Sequence, residues 1–227
     1  MQYDVVLFDL DYTLFDSALS ETEALETTFK KHTIDLNPEL LHMYRLINTK
    51  LWADLEMNLI SLEDLRVARF QILLDNLGIK IDALSLADTY THNLGICGGL
   101  LPGASDLLNS LVGNVKLALV TNGVAITQRS RIRKFDIGKF FDAIVISGEF
   151  GTPKPNPEIF SEALRLLDHT DKKSVLMVGD SLSSDVAGAT NFHIDSCWFN
   201  PVGKQLDDRR PPTHTCDSFN DLLRIIL

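Results

Sequence analysis

Short apolar runs punctuate the chain. "YDVVLF" (3–8), "VKLALV" (115–120), "DAIVIS" (142–147), "SVLMVGD" (174–180) and "DSCWFN" (195–200) are rich in Val, Ile or Leu. None alternates strictly between apolar and polar residues. That is the pattern of strands covered on both faces. Between the later runs the apolar residues recur at helical spacing. In "NPEIFSEALRLL", Asn156 suits an N-cap, Pro157 suits the first helical position, and Ile159, Phe160, Ala163, Leu164 and Leu167 share one face. Strands alternating with helices predict a parallel sheet, and so an α/β fold of the Rossmann-like kind.

The stretch 17–90 departs from this rhythm. It holds no strand-like run. "ETEALETTFKKH", "PELLHMYRLINTKLWADLEM" and "SLEDLRVARFQILLDNLG" read as amphipathic helices, with Ser61 placed to cap the last and Asp64 three residues on. "LGICGGLLPG" (94–103), with four glycines and a proline, reads as the return to the α/β pattern. The expected organisation is a core of 1–15 and 92–227 interrupted by a helical insertion, 16–91. "DDRRPP" (207–212) reads as a surface loop, and there is no internal repeat or low-complexity segment.

Composition narrows the function. The net charge is −10 and there is no Lys/Arg-rich run, so neither a nucleic-acid groove nor an anionic membrane surface is expected as a partner. No apolar stretch approaches membrane-spanning length, and the chain enters a strand at once, with Asp4 interrupting any signal-like core. Cys97, Cys197 and Cys216 have no metal-type spacing and read as reduced thiols; the six histidines form no zinc-like cluster. The cytoplasm is the expected compartment. A small anionic substrate remains compatible with this acidic chain if a local cation receives it.

The candidate chemistry lies at the strand ends. The first strand runs into Asp9 and Asp11, with the Thr13 hydroxyl beyond them. The second runs into Thr121, Asn122 and Gly123. Lys154 stands between two prolines after the third. The fourth ends in "GDSLSSD", which supplies Asp180 and Asp185. In a parallel sheet the carboxyl ends share one edge, so these groups converge in one crevice. The set suits phosphoryl chemistry. A carboxylate can attack phosphorus. Thr121, the Asn122–Gly123 turn and Lys154 can donate to phosphate oxygens. Asp9 and Asp180, with a backbone carbonyl, offer the hard oxygen ligands that Mg²⁺ prefers. Asp11, two positions after the nucleophile, can act as acid and then as base.

In order and spacing, "DLDYT", "VTNG", "PKP" and "GDSLSSD" resemble the motifs of the haloacid dehalogenase superfamily. The resemblance implies that Asp9 is the nucleophile. It implies that Asp11 is the acid/base and offers its backbone carbonyl to Mg²⁺, and that Asp180 is a metal ligand. It further implies that Asp185 binds metal-bound water or orients Lys154, and that the insertion is a four-helix-type cap. Tyr12 stands where many members have Gly. Members that cleave carbon–halogen bonds lack a carboxyl at the position of Asp11, so its presence favours phosphomonoester hydrolysis or phosphosugar mutation.

The insertion also resembles the cap of bacterial pyrimidine 5′-nucleotidases of this superfamily. The matching features are Asn48, Leu51–Trp52, "ISLEDL" and Arg69–Phe70; Asn58-Leu59 replaces a Gly found in many such relatives. Trp52 then offers an apolar wall or stacking face, or simply packs between helices. Arg69 lies on the apolar stripe of Leu62, Leu65 and Leu73, where it either snorkels into a salt bridge or faces the substrate. The expected activity is Mg²⁺-dependent hydrolysis of a nucleoside 5′-monophosphate, with a small sugar phosphate or phosphoglycolate as the alternative. Two other classes use similar residues. A phospho-signalling receiver domain would place the acidic pair and the accepting Asp on different strands. A non-catalytic phospho-ligand-binding protein would not need Asp9, Asp11, Lys154 and Asp180 all intact. No protein partner can be read.

Overall fold

The computed structural model describes residues 2–57, 59–206 and 211–227. The expectations placed on Asn58 and on 207–210 of the surface loop lie outside the described residues. Among the described residues six parallel strands make one sheet: β1 (Val5–Phe8), β2 (Lys116–Thr121), β3 (Ala143–Ile146), β4 (Val175–Gly179), β5 (Asp195–Phe199) and β6 (His214–Cys216), in the order β3-β2-β1-β4-β5-β6. The sixth strand has no counterpart in the apolar pattern. It is three residues long at the sheet edge, and only Cys216 is buried there.

Burial on both faces explains the missing alternation. Along β1, Val6 and Phe8 join Leu117, Leu119, Leu176 and Val178 in one core. Val5 and Leu7 join Ala118, Val120, Val175 and Met177 in another. The first core is closed by α5 (Ala104–Leu111) and α10 (Phe219–Ile226), the second by α8 (Pro157–Leu166) and α9 (Ala187–Phe192). Helix α8 begins as its sequence predicts: the Asn156 side chain accepts from the Glu158 N–H, and Pro157 opens the first turn.

Between β1 and β2 the chain makes a helical excursion: α1 (Ser17–Lys31), α2 (Pro38–Glu56), α3 (Leu62–Leu77) and α4 (Ala83–Leu94). Ser61 and Asp64 form a reciprocal capping box at α3. Phe29, Tyr44, Phe70 and Tyr90 lie at the centre of a separate core there. The two strands of chain that lead out and back run side by side. Phe15 bridges Leu100, the Asp16 N–H donates to Gly99 O, and the Leu101 N–H donates to Leu14 O.

The strand order reverses direction at β1. The chain steps outward from β1 to β2 to β3, and then crosses back to place β4 on the other side of β1. The crevice of a doubly wound sheet opens at this point, beyond the carboxyl ends. The register pairs Phe8 with Val178, so the residues that follow, Asp9 and those at the end of β4, emerge next to each other.

Candidate active site

The fold brings Asp9, Asp11, Asn122, Gly123, Lys154, Asp180 and Asp185 together on a cavity of about 420 Å³ that opens between the sheet edge and helices α1–α4, while Thr121 lies fully buried behind its wall. Lys154 is its fixed point. Its side chain is 1% exposed, and Nζ donates to Asp9 Oδ1 (2.6 Å), Asp185 Oδ1 (2.7 Å) and Val120 O (2.7 Å). All three ammonium protons are thereby used. Burial alone would favour the neutral amine, but the two carboxylates outweigh it and hold Lys154 protonated. The Asn122 amide secures the loop that carries Lys154: its Nδ2 donates to Lys154 O, and its Oδ1 accepts from the Lys154 N–H, both at 2.9 Å. The Asn122 side chain therefore acts on the lysine loop. The Gly123 N–H donates to Ser147 Oγ, at the start of the short helix α7 (Ser147–Phe150).

Asp185 is held on both oxygens. Oδ1 accepts from Lys154, and Oδ2 accepts from the Ser181 N–H at 3.1 Å. The segment Leu182–Val186 is wound as a π turn, an arrangement that recurs at functional sites. Here it swings the carboxylate back against the end of β4. These contacts tie Asp185 to Lys154 and to the Ser181 N–H.

Oxygen atoms of Asp9, Asp180 and Asp185 lie within 4.8 Å of one another. Burial pushes Asp9 up to about 7, with the Lys154 charge opposing it and the Asp185 and Asp11 charges adding to it. Burial pushes Asp180 up to about 6, helped by the charge on Asp9 and opposed by Lys204. Lys204 Nζ donates to Asp180 Oδ2 at 3.0 Å, and the Trp198 indole N–H donates to Asp180 O at 2.9 Å. Three carboxylates around one buried ammonium leave unbalanced negative charge on a set of hard oxygen donors. A divalent Mg²⁺ fits that set.

Asp11 has different neighbours. Oδ1 accepts from Ser17 Oγ (2.6 Å) and from Arg131 Nη1; Oδ2 accepts from Gln128 Nε2 at 2.7 Å. Burial pushes its carboxyl up, but the Arg131 charge and the bonds from Ser17, Gln128 and Arg131 outweigh this and hold it below the usual carboxylate range. Gln128 Nε2 also reaches Thr121 Oγ1 at 2.8 Å and so joins the acid/base candidate to the phosphate-donor candidate. Thr13 Oγ1 donates to Asp9 Oδ2 at 3.2 Å. Tyr12, between the two aspartates, holds φ = 61°, in the left-handed region that favours glycine.

The far end of the cavity is lined by Glu21, Asn48, Trp52, Arg69 and Tyr90. Trp52 is half-buried, packed beside Leu51, Leu55 and Leu65. Arg69 is 3% exposed, so it does not snorkel, and it makes no ion pair among the described residues. Its contacts are Asn48 Oδ1 at 3.4 Å and the Tyr90 ring at 4.7 Å, while Nε is buried without a partner. Glu21 accepts from Arg45 and Asn48. Ser17, Glu21, Gln128, Arg131 and Lys204 belong to none of the motifs read above. The one available signal was the i, i+3 spacing of Gln128 and Arg131 on the polar helix α6 (Ala125–Lys134).

An open, doubly wound parallel sheet with carboxylates clamped by a buried lysine at its topological switch point defines a hydrolase-type α/β enzyme. The chain belongs to the haloacid dehalogenase-like hydrolases, whose family model it matches over residues 6–199. It is 31% identical over 226 residues to the pyrimidine 5′-nucleotidase YjjG of Escherichia coli, spanning 100% of this chain and 99% of that one. It is 34% identical over 224 residues to the pyrimidine 5′-nucleotidase PynA of Streptococcus pneumoniae, spanning 98% and 94%. Among solved structures, YfnB of Bacillus subtilis, a protein described bound to magnesium, superposes with a TM-score of 0.94 at 31% identity over 100% of this chain and 99% of that chain. No described helix is long and apolar enough to cross a membrane.

Proposed function

We propose that this protein is a Mg²⁺-dependent phosphomonoesterase whose substrate is a pyrimidine nucleoside 5′-monophosphate. In this reading 1–15 and 92–227 carry the chemistry, and 16–91 is a cap that reads the leaving group. The observation that carries it is the Lys154 clamp, which fixes Asp9 beside a second carboxylate, Asp11, that is held by different partners. Dehalogenating members of the family lack that second carboxylate.

Asp9 Oδ2, the oxygen not bound by Lys154, attacks phosphorus. The bond from phosphorus to the leaving oxygen breaks, and a proton on Asp11, favoured there by the negative charge of the bound phosphate against the pull of Arg131, passes to that oxygen. Water then attacks the aspartyl-phosphate and returns a proton to Asp11, the bond from Asp9 to phosphorus breaks, and inorganic phosphate leaves. Thr121 donates to a phosphoryl oxygen, and Lys154, whose three protons are taken by Asp9, Asp185 and Val120 O, offsets the phosphoryl charge from where it stands. The side chains of Asp9 and Asp180 and the backbone carbonyl of Asp11 would hold Mg²⁺. When bound, the ion supplies charge that offsets the phosphate and the carboxylates.

Base selection falls to Arg69, whose buried guanidinium has unused donors. Leaving such donors unsatisfied costs about 1–3 kcal/mol, and carbonyl oxygens of a pyrimidine would satisfy them. Tyr90 and Trp52 supply aromatic surface. Two relatives named as pyrimidine 5′-nucleotidases over nearly their whole length support the same reading. The test is phosphate release from a panel of phosphomonoesters with and without Mg²⁺, together with acid-quench labelling. Label on Asp9 and preference for pyrimidine monophosphates are expected. Label elsewhere would overturn the mechanism, and turnover confined to sugar phosphates or phosphoglycolate would overturn the substrate.

A further inference from the structure

Arg131 takes no part in the chemistry just described, yet it is 3% exposed and makes four hydrogen bonds. Nη1 donates to Asp11 Oδ1 and, at 3.2 Å, to Gln128 Oε1. Nε donates to Leu94 O at 3.0 Å, and Nη2 donates to Ser20 Oγ at 3.1 Å. The guanidinium lies 4.8 Å from the centre of the Phe15 ring. Ser20 Oγ itself reaches Leu94 O at 3.3 Å, which closes the set.

These partners come from two places. Asp11 belongs to the catalytic edge. Phe15, Ser20 and Leu94 belong to the two segments by which the helical layer leaves and rejoins the sheet: Ser20 lies in the first turn of α1, and Leu94 is the last residue of α4. One rigid, planar group with five fixed donors therefore spans both.

The carboxylate of Asp11 has two oxygens, and Arg131 distinguishes them. Oδ1 accepts two donors, from Ser17 and Arg131, which occupy both its lone pairs. Oδ2 accepts one, from Gln128 Nε2 at 2.7 Å, and keeps a lone pair for a proton; the same amide touches Thr121, on the side of the phosphate donors.

We propose that Arg131 is the positioning residue of the acid–base step. By holding Oδ1 it leaves Oδ2 as the oxygen that exchanges the proton, and it ties the aim of that oxygen to where the helical layer sits. The inference rests on the phosphomonoesterase reading. In the first half-reaction the proton on Oδ2 moves to the departing oxygen as its bond to phosphorus breaks. In the second, water gives a proton to Oδ2 as its oxygen bonds to phosphorus and the Asp9 bond breaks.

Leaving-group chemistry separates this role from a merely structural one. p-Nitrophenolate leaves without a proton; the 5′-alkoxide of uridine 5′-monophosphate does not. The ratio kcat/KM reports only steps through the first irreversible one. Arg131→Met should therefore lower kcat/KM for uridine 5′-monophosphate about tenfold, a part of the ~10²–10⁴ that a positioned acid supplies. For p-nitrophenyl phosphate, kcat/KM should stay within about threefold of the wild type while kcat and KM fall together. A burst of p-nitrophenol should appear as the aspartyl-phosphate accumulates.

Ser20→Ala removes only the Nη2 tether and should give the same pattern to a smaller degree, so the inference remains testable if Arg131→Met does not fold. Arg131→Lys should restore only part of the loss, because an ammonium cannot span Asp11, Leu94 and Ser20 together. Equal losses on both substrates with no burst, in the presence of an Asp11→Asn variant that does separate them, would overturn the inference and leave the phosphatase reading intact. If Asp11→Asn lowers kcat/KM equally for both substrates, the reading itself fails and the inference with it.

Discussion

Alanine at position 179 would test how tightly the lysine clamp is built. Gly179 ends β4, and its φ is not in the left-handed region, so an alanine carries no conformational penalty there. The penalty is steric. A Cβ at this position would lie 2.1 Å from Asp185 Oδ2, 2.2 Å from its Cγ and 2.6 Å from its Cβ. Because the clash includes Cβ, rotating the carboxylate does not relieve it. The whole side chain has to move, and it is tied to Lys154 Nζ and the Ser181 N–H.

Overpacking alone costs about 1–3 kcal/mol. Separating a buried ion pair costs about 3–5 kcal/mol, because the abandoned charge stays buried. In a chain of this size each kcal/mol lowers Tm by roughly 2–4 °C, so a fall on the order of 10 °C is expected. Turnover should fall with it, since Lys154 loses one of the two carboxylates that hold it. Calorimetry in EDTA and phosphate-release kinetics on the same preparation measure both effects. Gly99→Ala is the control: nothing lies within 4 Å of its added Cβ, and its φ is ordinary, so its Tm should scarcely move. A Gly179→Ala protein that melts like the control and turns over normally would refute the packed clamp.

Asp180→Asn should abolish tight Mg²⁺ binding, read by calorimetric titration, whereas Asp11→Asn should keep most of it, because its backbone carbonyl is unchanged; equal losses would refute this division of roles. Arg69→Ala should lower kcat/KM for nucleotides at least about tenfold more than for p-nitrophenyl phosphate, and an equal loss with a lowered Tm would make Arg69 structural. The raised values of Asp9 (about 7) and Asp180 (about 6) also predict a pH effect on the metal-free protein. A carboxyl raised above its unfolded value of 3.8 favours folding below that value, and this contribution is lost as pH rises through 6 and 7. The gain in Tm on adding Mg²⁺ should therefore grow between about pH 5 and 8 as the ligands deprotonate; a gain that is flat with pH would refute it.

The sheet and the catalytic edge were legible for one physical reason. Buried parallel strands need continuous apolar runs, and the reactive groups follow those runs directly, so Asp9, Asp11, Thr121 and Asp180 could be assigned to strand ends before any contact was known. Strand β6 was not legible, because three half-polar residues at an edge leave no apolar signature. Arg131 and Gln128 were hidden differently. They sit on a helix whose other residues are mostly polar, and a buried arginine there looks like a solvated one until Phe15, Ser20 and Leu94 are seen around it. Arg69 lay between these cases: its stripe showed that it was buried, but not that it lacked a counterion.

The seam where Phe15 meets Leu100 has a consequence for the history of such a chain. The helical excursion departs and returns through neighbouring residues already joined by main-chain hydrogen bonds, so the chain crosses between sheet and excursion at one doorway. A segment attached this way can be lengthened, rebuilt or exchanged while the two ends stay zipped. The register that sets Asp9 beside the end of β4 would not change. What the molecule recognises and the reaction it performs can therefore diversify separately wherever the Arg131 contacts to Asp11, Ser20 and Leu94 are kept, as tool and handle do when they share a socket and one pin.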